Sequence, residues 1–157
     1  MLAAGVVAAA GYLAAGTAPA HAAAVAFCNK STSKTCLTAY VQNSASVTVT
    51  SIDIDQEKGA SGTCDPVRKR VDRTVLGGTD LDPGQQFRVS VDSSCEYKIS
   101  FNTTKGCTGD KVAHLRKRHF DEQRNYVKMR GACGSLETTV GNGTRDQPEA
   151  KATGQSQ

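Results

Sequence analysis

The amino-acid sequence predicts an all-β domain: a single antiparallel β-sandwich or small barrel of about seven strands, stapled by disulfides. Three observations carry that expectation. Apolar and polar residues alternate with a period of two over much of the chain, turn residues separate these runs at regular spacing, and six cysteines accompany few aromatics and no tryptophan. Alternation of this kind is the mark of a half-buried strand, and regularly spaced short strands favour sandwiches and barrels. The helix-length crossovers that parallel strands require are missing from the pattern, which discounts an α/β arrangement.

The first 24 residues are almost wholly Ala, Gly, Val and Leu, without a charged side chain. Such an apolar run, ending in Pro19 and in the small-x-small triplets Ala18-Pro19-Ala20 and Ala20-His21-Ala22, reads as a secretory leader with its cleavage site. A membrane anchor would need about 20 predominantly apolar residues, and Thr17, Pro19 and His21 interrupt this run. The expected organisation is a signal peptide over 1–22, one β domain over 23–140 and a disordered tail over 141–157, in a secreted or periplasmic protein. The tail has little to bury.

Along the domain, Leu37, Ala39 and Val41 alternate with Thr38, Tyr40 and Gln42 as a first strand. The next run, Ser46 to Asp55, is rich in β-branched residues, but its apolar phase moves from Val47/Val49 to Ile52/Ile54. A one-residue phase change without a turn predicts a β-bulge near Ser51. Gln56 to Gly62 reads as a mobile loop, and Leu81-Asp82-Pro83-Gly84 as a turn. Phe87, Val89 and Val91, then Cys95, Tyr97, Ile99 and Phe101, predict two strands joined through Ser93-Ser94 as a hairpin. Residues 111–124 have the one helical pattern, a short exposed surface helix. Tyr126 to Arg130 and Leu136 to Val140 predict two further strands around Gly131 to Gly134.

An even cysteine set behind a leader is a disulfide framework. Metal-ligand spacing is absent: the chain has no C-x-x-C, and beyond the leader only His114 and His119. The spacing suggests Cys28 with Cys36 and Cys95 with Cys107 as hairpin staples, leaving Cys64 with Cys133. The short loop would contribute ~2–3 kcal/mol and the long one ~4 kcal/mol by loop-closure entropy.

Charge gives the main functional hint. The net charge is +4, and from Arg68 to Arg130 fourteen Lys and Arg stand against eight Asp and Glu. The excess concentrates in Arg68, Lys69, Arg70 and Arg73 and in Arg116, Lys117 and Arg118, flanked by His114 and His119. Gathered on one face, these residues would attract an anionic macromolecule or surface, whether polysaccharide, nucleic acid or lipid headgroup. As solvated loops they would serve solubility alone.

Catalytic patterns are sparse. The chain has no G-x-S-x-G elbow, H-E-x-x-H helix or phosphate-cradling glycine loop. His114, His119 and Glu122 beside Arg116 and Arg118 are the residue types that phosphodiester cleavage needs, so a small ribonuclease-like hydrolase is the alternative class. Asp53, Asp55 and Glu57 share one strand face and are the candidate cation ligands, although alternating acids opposite Ile52 and Ile54 also describe a solvent face. No cofactor is expected. Asn29, Asn102 and Asn142 begin glycosylation sequons. A third class is a filament or coat subunit, in which Ala23 to Phe27 would add to a neighbour's sheet edge or bind another extracellular protein. The expected function is a non-enzymatic binding protein with a basic face.

Overall fold

The computed structural model describes residues 25–58, 64–104, 106–116 and 125–142. The leader over 1–22 and the tail from residue 143 lie outside the described residues. Nine strands are described: β1 (Val25–Ala26), β2 (Cys36–Ala45), β3 (Val49–Glu57), β4 (Val67–Val71), β5 (Gln86–Asp92), β6 (Glu96–Thr103), β7 (Val112–Leu115), β8 (Asn125–Gly131) and β9 (Glu137–Asn142). They form a five-stranded sheet, β1-β5-β2-β8-β9, and a four-stranded sheet, β4-β3-β6-β7. The described chain is all-β, a disulfide-stapled sandwich with one core. That core joins Ala39, Val41, Phe87, Val89 and Val127 of one sheet to Ile52, Ile54, Tyr97, Ile99 and Phe101 of the other.

Five of the seven strand pairings are antiparallel, while β1 with β5 and β2 with β8 are parallel. The sandwich is thus mainly antiparallel, with two parallel pairings that the sequence pattern does not signal. A parallel neighbour needs a long crossover, and the chain between Ala45 and Asn125 supplies one by building the entire second sheet.

The predicted bulge is present: pairing of β3 with β6 shifts register between Val49 and Ser51, which buries Val49, Ile52 and Ile54 together despite their mixed parity. The Leu81–Gly84 turn also forms, with Gly84 at φ 86° and the Gln85 N–H donating to the Asp82 carbonyl. Fully buried Asn43 ties this turn to the end of β2: its Nδ2 donates to the Leu81 and Val47 carbonyls, each at 2.8 Å, and its Oδ1 accepts from the Ala45 N–H.

Other expectations are corrected. The hairpin of Phe87–Val91 with Cys95–Phe101 does not form, because β5 is flanked by β1 and β2 and has no edge left for β6. The Asp92–Cys95 turn carries the chain to the opposite sheet, and the Cys95 N–H donates to the Asp92 carbonyl there. Within the proposed helix over 111–124, Val112–Leu115 is the edge strand β7, alternating buried Ala113 and Leu115 with exposed His114; residues 117–124 lie outside the described residues. Gln56 and Glu57 belong to β3 and not to a loop, with 59–62 of that loop outside the described residues. β9 reaches Asn142, two residues beyond the expected domain end.

The disulfides are Cys28–Cys36, as expected, and Cys64–Cys95 and Cys107–Cys133, which replace the expected Cys95–Cys107 and Cys64–Cys133. The reason is strand length. β6 lies between Cys95 and Cys107 and at ~3.4 Å per residue carries them about 25 Å apart, whereas bonded cysteines need Cα atoms within roughly 7 Å. Each therefore pairs at its own end of the sandwich.

Candidate cationic edge of the four-stranded sheet

The first basic cluster is a strand. β4 pairs with β3 so that Arg70 stands opposite Asp53 and Arg68 opposite Asp55. Alternation then turns Lys69 to the other side, where its Nζ lies 5.4 Å from the centre of the Phe27 ring. The Arg68 guanidinium is hydrogen-bonded and ion-paired to the Asp55 carboxylate. Arg70 Nη1 lies 3.7 Å from Asp53 Oδ1, and Arg70 Nη2 donates to Ser51 Oγ at 2.9 Å. Beyond the strand, Arg73 Nε meets Asp80 Oδ1 at 3.0 Å. Hydrogen bonding from Arg68 holds the Asp55 carboxyl below its ordinary range, against the opposing pull of burial, and Asp55 raises Arg68 in turn.

Asp53 and Asp55 of the acidic row on β3 are thus engaged chiefly by cations of their own sheet, while Glu57 stands opposite Glu96. Asp53 also accepts from Asn102 Nδ2 at 2.9 Å, and Lys98 stands opposite Asp55 on β6. Among the described residues no group of three or more His, Cys, Asp or Glu side chains is placed to hold a metal ion. Ion pairing with β4 accounts for Asp53 and Asp55 without one.

The second cluster begins at the opposite edge of the same sheet. His114 is on β7 and Arg116 follows its last residue. β7 is separated from β4 by β3 and β6, so the two edges are about 14 Å apart at the usual strand spacing. One cross-strand row reads Arg68, Asp55, Lys98, His114. Arg68, Lys69, Arg70 and His114 therefore belong to one sheet, with the acids of β3 between the two edges, while Arg73 and Arg116 lie just beyond the ends of β4 and β7. Lys117, Arg118, His119 and Glu122 lie outside the described residues. The residue directly opposite His114 is Lys98.

At the end of β3 and β4, Asp55, Glu57, Lys58, Pro66, Val67 and Arg68 line an open groove of about 630 Å³. Val67, at its margin, is 41% exposed. The signal for β4 is present in the sequence as Val67, Lys69 and Val71 alternating with two arginines, and the charge run masks it.

No family model and no curated protein matches the chain. Among solved structures it is similar to the membrane-binding domain of pneumolysin, at 10% identity and TM-score 0.39 over 69% of this chain and 98% of that one. It is also similar to suilysin from Streptococcus suis, at 10% identity and TM-score 0.37 over 71% of this chain and 24% of that one. For the human-specific toxin intermedilysin the values are 4% and 0.39, over 69% and 24%. The chain spans about a quarter of the length of these full toxins. Likeness at this level bears on neither ligand nor activity.

Proposed function

We propose that the protein is exported and acts outside the cytoplasm, secreted or in a periplasm, as a non-catalytic domain that binds a polyanion along the arginine edge of its four-stranded sheet. Three disulfides and no free cysteine are the chemistry of an oxidising compartment, and the leader-like N-terminus supports the same reading.

One observation carries the binding reading. Arg68, Arg70 and Arg73 each have an aspartate partner, yet their side chains remain 70%, 60% and 68% exposed. Surface ion pairs of this sort add little stability. They do orient the guanidiniums, whose planar fork carries more N–H donors than one carboxylate uses. Two oriented, exposed arginines on an edge strand, with a third just beyond its end, suit sulfate, phosphate or carboxylate groups repeated along a polymer.

Heparin affinity across a sodium chloride series tests this. The wild-type chain is expected to bind with a steep salt dependence, and Arg68→Ser, Arg70→Ser and Arg73→Ser together are expected to lower the slope of log affinity against log salt by roughly one for each arginine removed. Salt-independent retention, or the same slope in the triple variant, would remove the proposal.

A further inference from the structure

The two sides of the sandwich end differently. On one side the sheets close on each other: the Asp110 N–H donates to the Leu136 carbonyl and Thr138 Oγ1 of β9 to the Val112 carbonyl of β7, so these two edge strands cover one another's margins. The other side keeps its edges. There β1 is two residues long, whereas β4 runs over five, Val67–Val71, with β3 as its one strand neighbour among the described residues. In a strand with one neighbour, every second residue turns its N–H and C=O away from the sheet. Among the described residues no backbone hydrogen bond reaches 67–71 from outside that sheet. Pro66, which has no N–H, limits the row on one side.

The side chains along this edge suit one kind of neighbour. Arg68 and Arg70 project on the same face two residues apart, roughly 6.8 Å along the strand. An added strand repeats its own side chains on that face at the same interval, so acidic residues at alternate positions meet both arginines. Lys69 turns to the other face against the Phe27 ring, and Val67, the large hydrophobic left exposed among the described residues, stands at the start of the strand. Acids bracket the arginines. Asp65 precedes the strand and Asp72 follows it, the latter accepting the Thr74 N–H. The cationic stretch of β4 is therefore short, and long runs of negative charge overshoot it.

We infer that β4 receives an extended acidic segment of another protein as an added strand, with carboxylates at alternate positions opposite Arg68 and Arg70 and an apolar residue between them on the Val67 side. The inference rests on the polyanion reading above and narrows its partner to a polypeptide. Main-chain hydrogen bonds along the edge supply affinity in this mode, and the alternating side chains supply selectivity. A polysaccharide or a nucleic acid brings anionic groups to the arginines but no amide ladder, and it leaves the outward N–H groups of β4 to water. A second copy of β4 fits less well, because arginines would face arginines and like charges directly opposite are destabilising.

The test is titration of the full chain with a short labelled peptide of alternating glutamate and valine, with the same peptide methylated at its backbone nitrogens, and heparin, as comparators. Methylation keeps every charge and removes every backbone donor. The plain peptide is expected to bind and to be displaced by heparin, and the methylated one to bind weaker by about tenfold or more, since its hydrogen bonds to β4 are lost. Arg68→Ser with Arg70→Ser, both at exposed side chains, is expected to weaken the plain peptide by about tenfold or more as well. Heparin binding without peptide binding would overturn the inference and leave the polyanion reading standing. Equal affinity for the two peptides would overturn strand addition, because charge alone then accounts for binding, and peptide binding unchanged in the arginine variant would overturn the assignment to β4. Failure of heparin and peptide alike would remove both readings.

Discussion

Tyr97 concentrates the sandwich's polar chemistry in one side chain. Its ring is fully buried on β6 and meets Phe27 edge to face at 5.1 Å. The hydroxyl crosses between the sheets, donating to Gln56 Oε1 at 2.9 Å and accepting the Asp92 N–H at 2.7 Å. Burial pushes its ionisation from the ordinary 10.0 up to about 12. A folded-state value above the unfolded one means that the contribution is complete below pH 10 and is lost as pH rises towards 12. The loss amounts to ~2–3 kcal/mol. Tyr97→Phe is expected to cost ~1–3 kcal/mol at neutral pH by stranding the Asp92 N–H and the Gln56 oxygen. It should also flatten the alkaline fall. Urea midpoints of both proteins from pH 8 to pH 11.5 measure this as the difference between two curves, in which the lysines cancel. Parallel curves would show that Tyr97 does not govern the alkaline limb.

The elements show where sequence reasoning succeeds and why it stops. Alternation reports which side chains face inward, so β2, β5, β6, β8 and β9 are legible, and the phase change at Val49/Ser51 locates the bulge in β3. Alternation does not report which strand lies alongside. Hence β5 and β6, adjacent in sequence and both well patterned, read as one hairpin although they belong to opposite sheets. The mistaken cysteine pairing follows from the same gap, since only the path of β6 separates Cys95 from Cys107. Edge strands β4 and β7 are hidden because their outward positions carry Arg68, Arg70 and His114, and a run of charge obscures the period beneath it. Of the candidate site, the residues are legible but their separation is not: Arg68 and Arg70 lie on one edge of a sheet and His114 on the other, and Asp53 and Asp55 of β3 pair with the arginines. Charge on an edge has a further role, since an uncharged edge invites pairing with another chain. Replacing Arg68 and Arg70 by valine would raise β propensity and, with Val67 already exposed, leave β4 an apolar edge. That variant is expected to keep or slightly raise its thermal midpoint while forming concentration-dependent oligomers in size-exclusion chromatography. A monomer at all concentrations would show that the arginines do not guard the edge.

At the scale of the molecule, three staples divide unevenly between the two ends of the sandwich. Cys28–Cys36 and Cys64–Cys95 fasten the end where β2 begins and β5 finishes, while Cys107–Cys133 alone fastens the other. Sequence separations of 8, 31 and 26 residues correspond to roughly 2.5, 3.7 and 3.5 kcal/mol in the chain-entropy account. At the singly stapled end the two sheets meet through backbone: Gly109 bridges Leu136, the Asp110 N–H donates to the Leu136 carbonyl at 2.7 Å, and Thr138 Oγ1 donates to the Val112 carbonyl at 2.8 Å. Gly109 has φ 123°, and a Cβ there would lie 2.3 Å from the Leu136 nitrogen, so that approach depends on glycine. Paired Cys107→Ala and Cys133→Ala substitution is therefore expected to destabilise by ~2–5 kcal/mol, lowering the thermal midpoint by on the order of 10–20 °C, with unfolding still in one step. The core is continuous across both sheets, and a continuous core unfolds as a unit. Calorimetry distinguishes the outcomes. A single transition at lower temperature supports the account, whereas two transitions would show that this disulfide couples the sheets more strongly than the shared core does.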